Sequence, residues 1–193
     1  MRTRTHHGPL RGRTVVVTGA ARGLGAALAR AFDERGARLA LLGLDEARLG
    51  TVAASMRAES ACWRVDVTDD EAMAETARQV RSRFGPVSVV VANARVAQAG
   101  PFADTDPGVW RRVVEVNLIA SAVTARCFLP DLLHTHGHYM QTASLAALSV
   151  RPQRQRTDCW CIPATGLGHS LPDAHSARRP SVRLGGRPCA GLG

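Results

Sequence analysis

Residues 14–25 join a hydrophobic segment to a helical one through closely spaced glycines, and they restrict the possible folds more than any other part of the sequence. Residues 15–17 are three consecutive valines, which is typical of a strand covered on both faces. The turn that follows holds Gly19, Gly23 and Gly25, and residues 26–32 are typical of a helix. Such a turn directs backbone N–H groups and the positive end of a helix dipole to one point, where a dinucleotide pyrophosphate can bind. The alternative is an ordinary strand–turn–helix whose glycines only reverse the chain.

Strand-like segments then alternate with segments of helical periodicity. Strands are predicted at residues 36–42, 61–65, 87–91 and 139–143, and helices at residues 45–56, 69–84 and 109–133. Asp69 or Thr68 is expected to cap the helix that starts at residue 69. Because strands that alternate with helices form right-handed crossovers, the sequence predicts an α/β fold with a Rossmann-like doubly wound parallel sheet. The ligand site is expected at the carboxyl edge of its strands.

Length, charge and cysteine content limit the class of protein. A chain of 193 residues can bury one sizeable core. The net charge is +9, but residues 150–193 hold seven Arg against two acidic residues and no basic, aromatic surface accompanies them, so no nucleic-acid partner is expected. No apolar run approaches a membrane span, so no membrane partner is expected either. Five scattered Cys without a Cys-x-x-Cys pair indicate a reducing cytoplasm.

The sequence divides into three predicted segments. Residues 1–12 are expected to form a flexible leader that carries charge but lacks the apolar stretch of a signal peptide. Residues 13–149 are expected to form the dinucleotide-binding domain, and residues 150–193 differ from it in composition. Within the domain, three histidines at 134, 136 and 138 have no suitably spaced Cys or carboxylate, so no metal site is predicted.

The spacing Thr-Gly-x-x-x-Gly-x-Gly of residues 18–25 resembles the short-chain dehydrogenase/reductase family, whose members are NAD(P)-dependent oxidoreductases with one Rossmann-like domain. The resemblance implies cofactor binding by Thr18, Gly19, Arg22, Gly23, Leu24 and Gly25. Asp66 and Val67 resemble the family's pair after the third strand, which implies a hydrogen bond from the adenine amino group to Asp66; a helix-capping role is the alternative. Asn93 and Ala94 resemble the middle of the family's Asn-Asn-Ala-Gly cofactor segment, whereas Arg95 replaces its final glycine.

The residues near the end of the second strand favour NADP over NAD. A carboxylate at this point would bind the ribose hydroxyls of NAD, but the position is Gly43. Arg22 lies in the glycine turn, close to where a 2′-phosphate would sit, so a cation is near and an anion is absent. Alternatively, Arg22 is a solvated loop residue and Asp45 reaches back to the ribose.

Two further segments resemble catalytic parts of the family. Residues 110–118 resemble the helical segment that carries an asparagine, which implies that Asn117 helps to hold a proton-relay water. Residues 143–147 resemble the serine segment, which implies that Ser144 hydrogen-bonds to the substrate carbonyl or hydroxyl and stabilises charge there. Alternatively, helix-packing partners satisfy Asn117 and Ser144 is only a turn residue.

The family's catalytic Tyr-x-x-x-Lys pair is missing from this sequence. The expected register places it near Thr157 and Cys161, the one tyrosine is Tyr139, and all 25 basic residues are Arg. From residue 150 the chain is rich in Arg, Pro and Gly, and no helix longer than one or two turns is predicted. We interpret residues 150–193 as a disordered tail that is translated out of frame from a GC-rich gene. The sheet would then be incomplete at its C-terminal side. The alternative is a genuinely divergent tail.

These features leave two hypotheses for the function. The first is an NAD(P)-dependent oxidoreductase that acts on an alcohol or carbonyl substrate by hydride transfer, expected to be inactive as printed. The second, favoured by the missing catalytic pair, is a non-catalytic nucleotide-binding remnant. In either case the apolar face of the long helix is expected to lose the elements that would pack on it; this face comprises Val113, Val114, Leu118 and Val123. We therefore predict poor solubility, and we do not expect the homo-oligomer that is typical of the family.

Overall fold

The computed structural model of the protein describes residues 10–99, 105–143 and 159–160. Its strands are β1 Thr14–Thr18, β2 Arg38–Gly43, β3 Ser60–Arg64, β4 Val87–Ala92, β5 Gln98–Ala99, β6 His138–Gln141 and β7 Cys159–Trp160. Its helices are α1 Gly23–Asp33, α2 Glu46–Ala54, α3 Asp70–Phe84, α4 Pro107–Val114 and α5 Ala120–Thr135, and a π-helical turn, Glu115–Ile119, joins the last two.

Five strands form one parallel sheet in the order β3–β2–β1–β4–β6. The chain builds the sheet outward from β1 to β3 and then crosses to the other side of β1 with β4 and β6. The strand order therefore reverses between β1 and β4, and at such a switch point the carboxyl ends of parallel strands open a crevice. This arrangement confirms the predicted Rossmann-like doubly wound fold.

The two central strands are covered on both faces. Every residue of β1 and β4 is buried. On one face Val16 packs in a core with Met73 of α3 and Phe128 of α5, and on the other Val17 packs with Leu49 of α2. Because successive side chains of a strand point to opposite faces, an unbroken valine run supplies both cores.

Aspartates begin three of the helices, and at the start of α4 the carboxylate of Asp106 accepts a hydrogen bond from the backbone N–H of Gly108 (2.6 Å). The carboxylate of Asp45 accepts a hydrogen bond from the backbone N–H of Arg48 (3.0 Å) at the start of α2. Asp69 accepts one from Ala72 (2.9 Å) at the start of α3, so the cap is Asp69 rather than Thr68. The helix α3 ends at Gly85, whose φ of 74° suits glycine.

The domain begins before β1. The backbone N–H of Gly12 donates to the carbonyl of Gly36 (2.8 Å), and that of Arg13 donates to Leu10 (3.0 Å). Leu10 packs against the core on the α1 face. Residues 10–12, which the sequence places in a flexible leader, thus form a turn attached to the folded domain, and residues 1–9 lie outside the described residues.

The helical segment Pro107–Thr135 corresponds to the long helix predicted at residues 109–133. The expectation that this helix face loses its cover is wrong for Val113, which is only 4% exposed, and for Val123, which packs against the core. Val114 is half-buried, and only Leu118 of the four is exposed. The described part of the domain itself covers this side of the helix. Its exposed large apolar side chains are Leu118, Ile119, Leu129 and Leu133.

The same segment is the one helix among the described residues with the length and apolar composition to cross a membrane. This is weak evidence for a membrane span, because the core helix of a water-soluble domain passes the same test. Here α5 packs against β4 and α3, and Phe128 and Leu132 are buried in the core.

Two residues of the predicted tail are described. Cys159 and Trp160 form β7, which pairs antiparallel with Ala99 and Gln98 of β5. The rest of residues 150–193 lies outside the described residues, so the predicted disorder and out-of-frame origin of the tail stay predictions.

Candidate functional site

The glycine turn of residues 19–25 connects β1 to α1 at the carboxyl edge of the sheet. Gly19 and Gly23 have φ of 63° and 55°, a region that favours glycine. A Cβ on Gly19 would lie 2.8 Å from Cα of Ala94, and one on Gly25 would lie 2.6 Å from Nδ2 of Asn93 and overlap the carbonyl oxygen of Gly19. The turn thus packs directly against the segment after β4, and its glycines do more than reverse the chain.

The first turn of α1 has no side-chain cap. Arg22 occupies the N-cap position without a side-chain hydrogen bond to the helix, and the first turn contains no acidic residue. Because the first N–H groups of a helix have no partner within it, Gly23, Leu24 and Gly25 present backbone donors at this point. In α2 and α3, by contrast, the side chain of an N-cap aspartate accepts a hydrogen bond from one of the first backbone N–H groups. This donor set fits an anionic group such as a pyrophosphate.

Thr18 and Asn93 join the glycine turn to the end of β4. Oγ1 of Thr18 accepts hydrogen bonds from the backbone N–H groups of Asn93 (2.9 Å) and Ala94 (3.0 Å). Nδ2 of Asn93 donates to the carbonyls of Thr18 (3.1 Å) and Gly19 (3.3 Å), and its Oδ1 accepts from Thr142 (3.2 Å). Their polar side-chain atoms therefore bind protein partners and hold the shape of the turn.

An open cleft of about 650 Å³ extends from the glycine turn along the carboxyl edge of the sheet. Its lining includes most of the residues that the sequence predicts for cofactor binding, namely Gly19, Arg22, Gly23, Leu24, Gly25, Asp66, Val67, Asn93 and Ala94. Thr18, 1% exposed, instead lines a smaller adjoining cavity of about 40 Å³. The cleft has the size range of small-molecule and cofactor sites.

Positive charge predominates in the lining of the cleft. It contains the charged residues Arg22, Arg48, Arg95, Arg112, Asp45 and Asp66. Arg48 lies 3.2 Å from Asp45, and Arg112 lies 3.0 Å from Asp66. Within the described part of the chain, Arg22 and Arg95 form no ion pair. The cleft is therefore suited to attract an anionic ligand.

Asp66 lies just after β3, and both of its oxygens have partners. Oδ1 accepts from the backbone N–H (3.0 Å) and hydroxyl (2.8 Å) of Thr68, and Oδ2 accepts from Arg112 (3.0 Å). Partial burial opposes ionisation, but the hydrogen bonds from Thr68 and the Arg112 guanidinium outweigh it and lower the pKa of Asp66. Asp66 is thus held as a carboxylate in the cleft.

Asp45 has local partners at the second strand end. Its Oδ1 caps α2 by accepting from the backbone N–H of Arg48, and its Oδ2 faces Nε of the same residue. Gly43, beside it, lines the cleft without a side chain. Asp45, the carboxylate that lines the cleft at this strand end, is thus already engaged by Arg48.

The sequence model that describes short chain dehydrogenases matches residues 13–155, about three-quarters of the chain. The chain belongs to the short-chain dehydrogenase/reductase family. It is 35% identical over 151 residues to a short chain dehydrogenase of Pseudocercospora fijiensis, with 75% of this chain and 49% of the relative covered. The chain spans about half the length of the curated relatives it matches.

Solved structures of this oxidoreductase family share the fold. An alcohol dehydrogenase of Thermococcus sibiricus, complexed with 5-hydroxy-NADP, superimposes with a TM-score of 0.69 at 32% identity and covers 72% of this chain and 61% of its own. A short-chain dehydrogenase/reductase of Burkholderia phymatum, complexed with NAD, gives a TM-score of 0.71 at 30% identity, with coverages of 75% and 53%. Both nicotinamide dinucleotides thus occur among the structural relatives.

Asn117, which resembles the catalytic-site asparagine of the short-chain dehydrogenases, lies in the π-helical turn. Its Oδ1 accepts from the backbone N–H of Val96 (3.0 Å), and its Nδ2 donates to the carbonyl of Val96 (2.9 Å). Its own carbonyl accepts from the side chain of Gln141 (3.3 Å). Asn117 thereby connects α4–α5 to the loop after β4, and a π-helical turn is common at functional sites.

Ser144 lies outside the described residues, so its role stays a prediction. Tyr139, the one tyrosine of the chain, lies on β6 and hydrogen-bonds to Ser121 of α5. The family match ends at residue 155, two positions before Thr157, where the resemblance would place the catalytic tyrosine. The hydroxyl of Tyr139 is thus occupied by its contact with Ser121 inside the domain.

One of the three histidines near the end of α5 has a backbone role. His136 adopts a left-handed conformation, with φ of 49°, where α5 ends. In the described ranges, residues 10–99 and 105–143 with 159–160, no group of three or more His, Cys, Asp or Glu is placed to hold a metal ion.

The sequence did not predict Arg112 or Thr142 as residues of this region. Arg112 reaches Asp66 across 46 positions of sequence, and Thr142 reaches Asn93 across 49. An arginine on a helix is usually a solvated residue, so no local pattern distinguishes Arg112 from its neighbour Arg111. Only the folded chain brings these pairs together.

Proposed function

We propose that this chain binds NADP(H) in the cleft and has the framework of an oxidoreductase that acts on alcohol or carbonyl substrates. The observation that carries the proposal is the uncapped start of α1, which faces a cleft with Arg22 at its N-cap position. Backbone N–H groups of Gly23, Leu24 and Gly25 would hold the pyrophosphate. Asp66 would accept a hydrogen bond from the adenine amino group, beside Val67, and Ala94 would lie close to the cofactor.

The preference for NADP follows from charge. Arg22 has no ion-pair partner among the described residues, so it is available to a 2′-phosphate. Asp45, the alternative ribose-binding carboxylate, is engaged as the cap of α2 and with Arg48. Since relatives are complexed with NADP-type and NAD cofactors alike, the preference rests on these local contacts.

When bound, the nicotinamide supplies or accepts the hydride of the reaction. In this chain Ser144 would hydrogen-bond to the substrate oxygen and Asn117 would help to hold a proton-relay water. The sequence offers no tyrosine near Thr157 and no lysine to move the proton and hold the ribose. The second candidate function is therefore that of a non-catalytic nucleotide-binding protein. The first, the oxidoreductase, would act on a small-molecule alcohol or carbonyl substrate. A cytoplasmic location and the absence of a nucleic-acid partner stay predictions.

Titration of cofactor fluorescence with NADPH and NADH tests the proposal. We expect NADPH to bind about tenfold more tightly than NADH, the order of one charge-assisted contact. Arg22→Ala should remove most of that ratio while leaving NADH binding nearly unchanged. Arg30→Ala is the matched control, because Arg30 is an exposed arginine of the same helix outside the cleft lining. Tighter binding of NADH, or no binding of either cofactor, would overturn the proposal.

A further inference from the structure

Arg112, Asp66 and Thr68 form a closed ring of hydrogen bonds at the wall of the cleft. Nη2 of Arg112 donates to Oδ2 of Asp66 (3.0 Å), and Nη1 donates to Oγ1 of Thr68 (3.0 Å). The hydroxyl of Thr68 in turn donates to Oδ1 of Asp66 (2.8 Å). Arg112 lies on α4, whereas Asp66 and Thr68 lie between β3 and α3, so the ring links two separate parts of the fold.

This ring leaves Asp66 little capacity to accept further hydrogen bonds. A carboxylate offers about four acceptor positions, two on each oxygen. Thr68 occupies both positions of Oδ1 through its backbone N–H and its hydroxyl. Arg112 occupies one position of Oδ2. A ligand in the cleft therefore meets a fixed carboxylate with one acceptor position left, on Oδ2.

We infer that Arg112 is a positioning residue, which orients Asp66 so that the site selects a nucleotide base carrying an amino group. The inference rests on the proposed NADP(H) site. A base with an amino group donates to the remaining position of Oδ2, whereas a base with an oxo group in its place presents an acceptor to a carboxylate. Thr68 alone holds only Oδ1, so without Arg112 the second oxygen loses its fixed partner.

The ion pair between Arg112 and Asp66 contributes little to the stability of the domain. The side chains of Arg112 and Asp66 are 47% and 36% exposed, and ion pairs at that exposure contribute little to the free energy of unfolding. Arg112 also lines the cleft together with Asp66 and Val116. Its position thus affects what the cleft binds more than how stably the domain folds.

The experiment compares NADPH with its hypoxanthine analogue, in which an oxo group replaces the adenine amino group, by fluorescence titration of the full chain. We expect the wild type to prefer NADPH by about tenfold, the order of a hydrogen bond to a charged group. Arg112→Gln should reduce the preference to about threefold or less, because Oδ2 is no longer fixed. Arg112→Lys should restore part of it, since lysine keeps the charge but lacks the guanidinium fork.

Arg111→Gln is the matched control, since it removes the same charge from the adjacent, exposed position of α4. It should leave the preference unchanged. Asp66→Asn provides a second variant: an amide can donate to an oxo group, so the preference should fall or reverse. A preference that stays at the wild-type value in Arg112→Gln or in Asp66→Asn would overturn the inference, as would an equal loss in Arg111→Gln.

Failure of the inference differs from failure of the proposed function. If the wild type binds neither NADPH nor its analogue, the proposed cofactor site is wrong and the inference falls with it. If the wild type binds both with equal affinity, or if Arg112→Gln weakens both by the same factor, the cofactor site stands and the inference alone is wrong. In the latter case Arg112 acts only as a nearby positive charge.

Discussion

At the scale of single residues, Gly25 has no room for a side chain. Its position is buried between the carbonyl of Gly19 and the side-chain amide of Asn93. Asn93 is itself fixed by Thr18 and Thr142, so it cannot move aside without losing hydrogen bonds. The tight turn is thus a packed structure that places the start of α1 at the cleft.

We predict that Gly25→Ala lowers the free energy of unfolding by about 3 kcal/mol, because the added methyl group overlaps backbone. NADPH binding should weaken with it. Urea unfolding followed by circular dichroism measures the change. Gly50→Ala is the control: Gly50 lies inside α2 with nothing within 4 Å of an added Cβ. That variant should be neutral or stabilise by up to about 1 kcal/mol, so a similar loss in both would contradict the prediction.

Tyr139 makes a half-buried contact with Ser121 that carries a predicted pH dependence. Burial raises the pKa of its phenol above the ordinary value, although the hydrogen bond with Ser121 opposes part of the shift. The unfolded chain therefore loses this proton at a lower pH than the folded chain. The contribution to stability is fully present below the ordinary phenol pKa of about 10 and is lost as the pH rises through the folded pKa.

The test uses the ultraviolet absorbance of the phenolate, which reports this residue alone because the chain has one tyrosine. We expect its midpoint above about 10 in the folded protein and near 10 in urea. Tyr139→Phe should cost about 1–2 kcal/mol of unfolding free energy at neutral pH, since Ser121, 8% exposed, loses its partner. A folded-state midpoint at or below the unfolded one would contradict the sign of the shift.

At the scale of elements, the helix starts divide into capped and uncapped. The helices α2, α3 and α4 begin with aspartates whose carboxylates accept backbone N–H groups, whereas α1 begins without a side-chain cap. An aspartate cap accepts one of the first N–H groups and places a negative charge at the helix start, which disfavours an anion, whereas an uncapped start at a cleft has its N–H donors available. The distribution of caps thus favours α1 as the anion-binding helix.

We predict that Asp69→Ala destabilises the domain by about 1 kcal/mol, because the N–H of Ala72 loses its acceptor. Asp69→Asn should retain nearly all of the stability, since an amide oxygen also caps well. Chemical denaturation of the two variants in parallel measures the difference. Equal stabilities for alanine and asparagine would mean that the cap contributes nothing.

At the scale of the whole molecule, the described domain forms the sheet and the cleft, and β6 is an edge strand bonded to β4 alone among the described strands. Met140 on this edge is 44% exposed, and Leu133 at the end of α5 is 55% exposed. Exposed apolar side chains beside an open strand favour association, so poor solubility stays a prediction for the chain as printed.

We predict that the 193-residue chain binds NADPH but does not oxidise it in the presence of generic carbonyl substrates. The cleft and glycine turn lie within the described domain, whereas no tyrosine occurs near Thr157 and the sequence contains no lysine. Absorbance of NADPH follows turnover, and fluorescence titration of the same sample measures binding. Turnover above the background rate that falls in Arg22→Ala at subsaturating NADPH would contradict the prediction and favour the first function hypothesis.

The sequence by itself determined the fold and the edge of the sheet at which the cleft opens. Three valines, the glycine spacing and the alternation of strands with helices are local patterns, because strand burial, glycine conformation and helix periodicity each depend on neighbouring residues. They predicted the doubly wound sheet correctly. The family resemblance named nine residues, from Gly19 to Ala94, that the structure places in the cleft lining, and their role in cofactor binding stays a prediction.

Only the tertiary structure decided which polar atoms remain available to a ligand. Thr18 and Asn93 bind each other's backbone across 75 positions, and Arg112 binds Asp66 across 46. The burial of Val113 was likewise decided by packing rather than by its helical register. Long-range hydrogen bonds and burial depend on residues far apart in sequence, so no pattern within one segment specifies them.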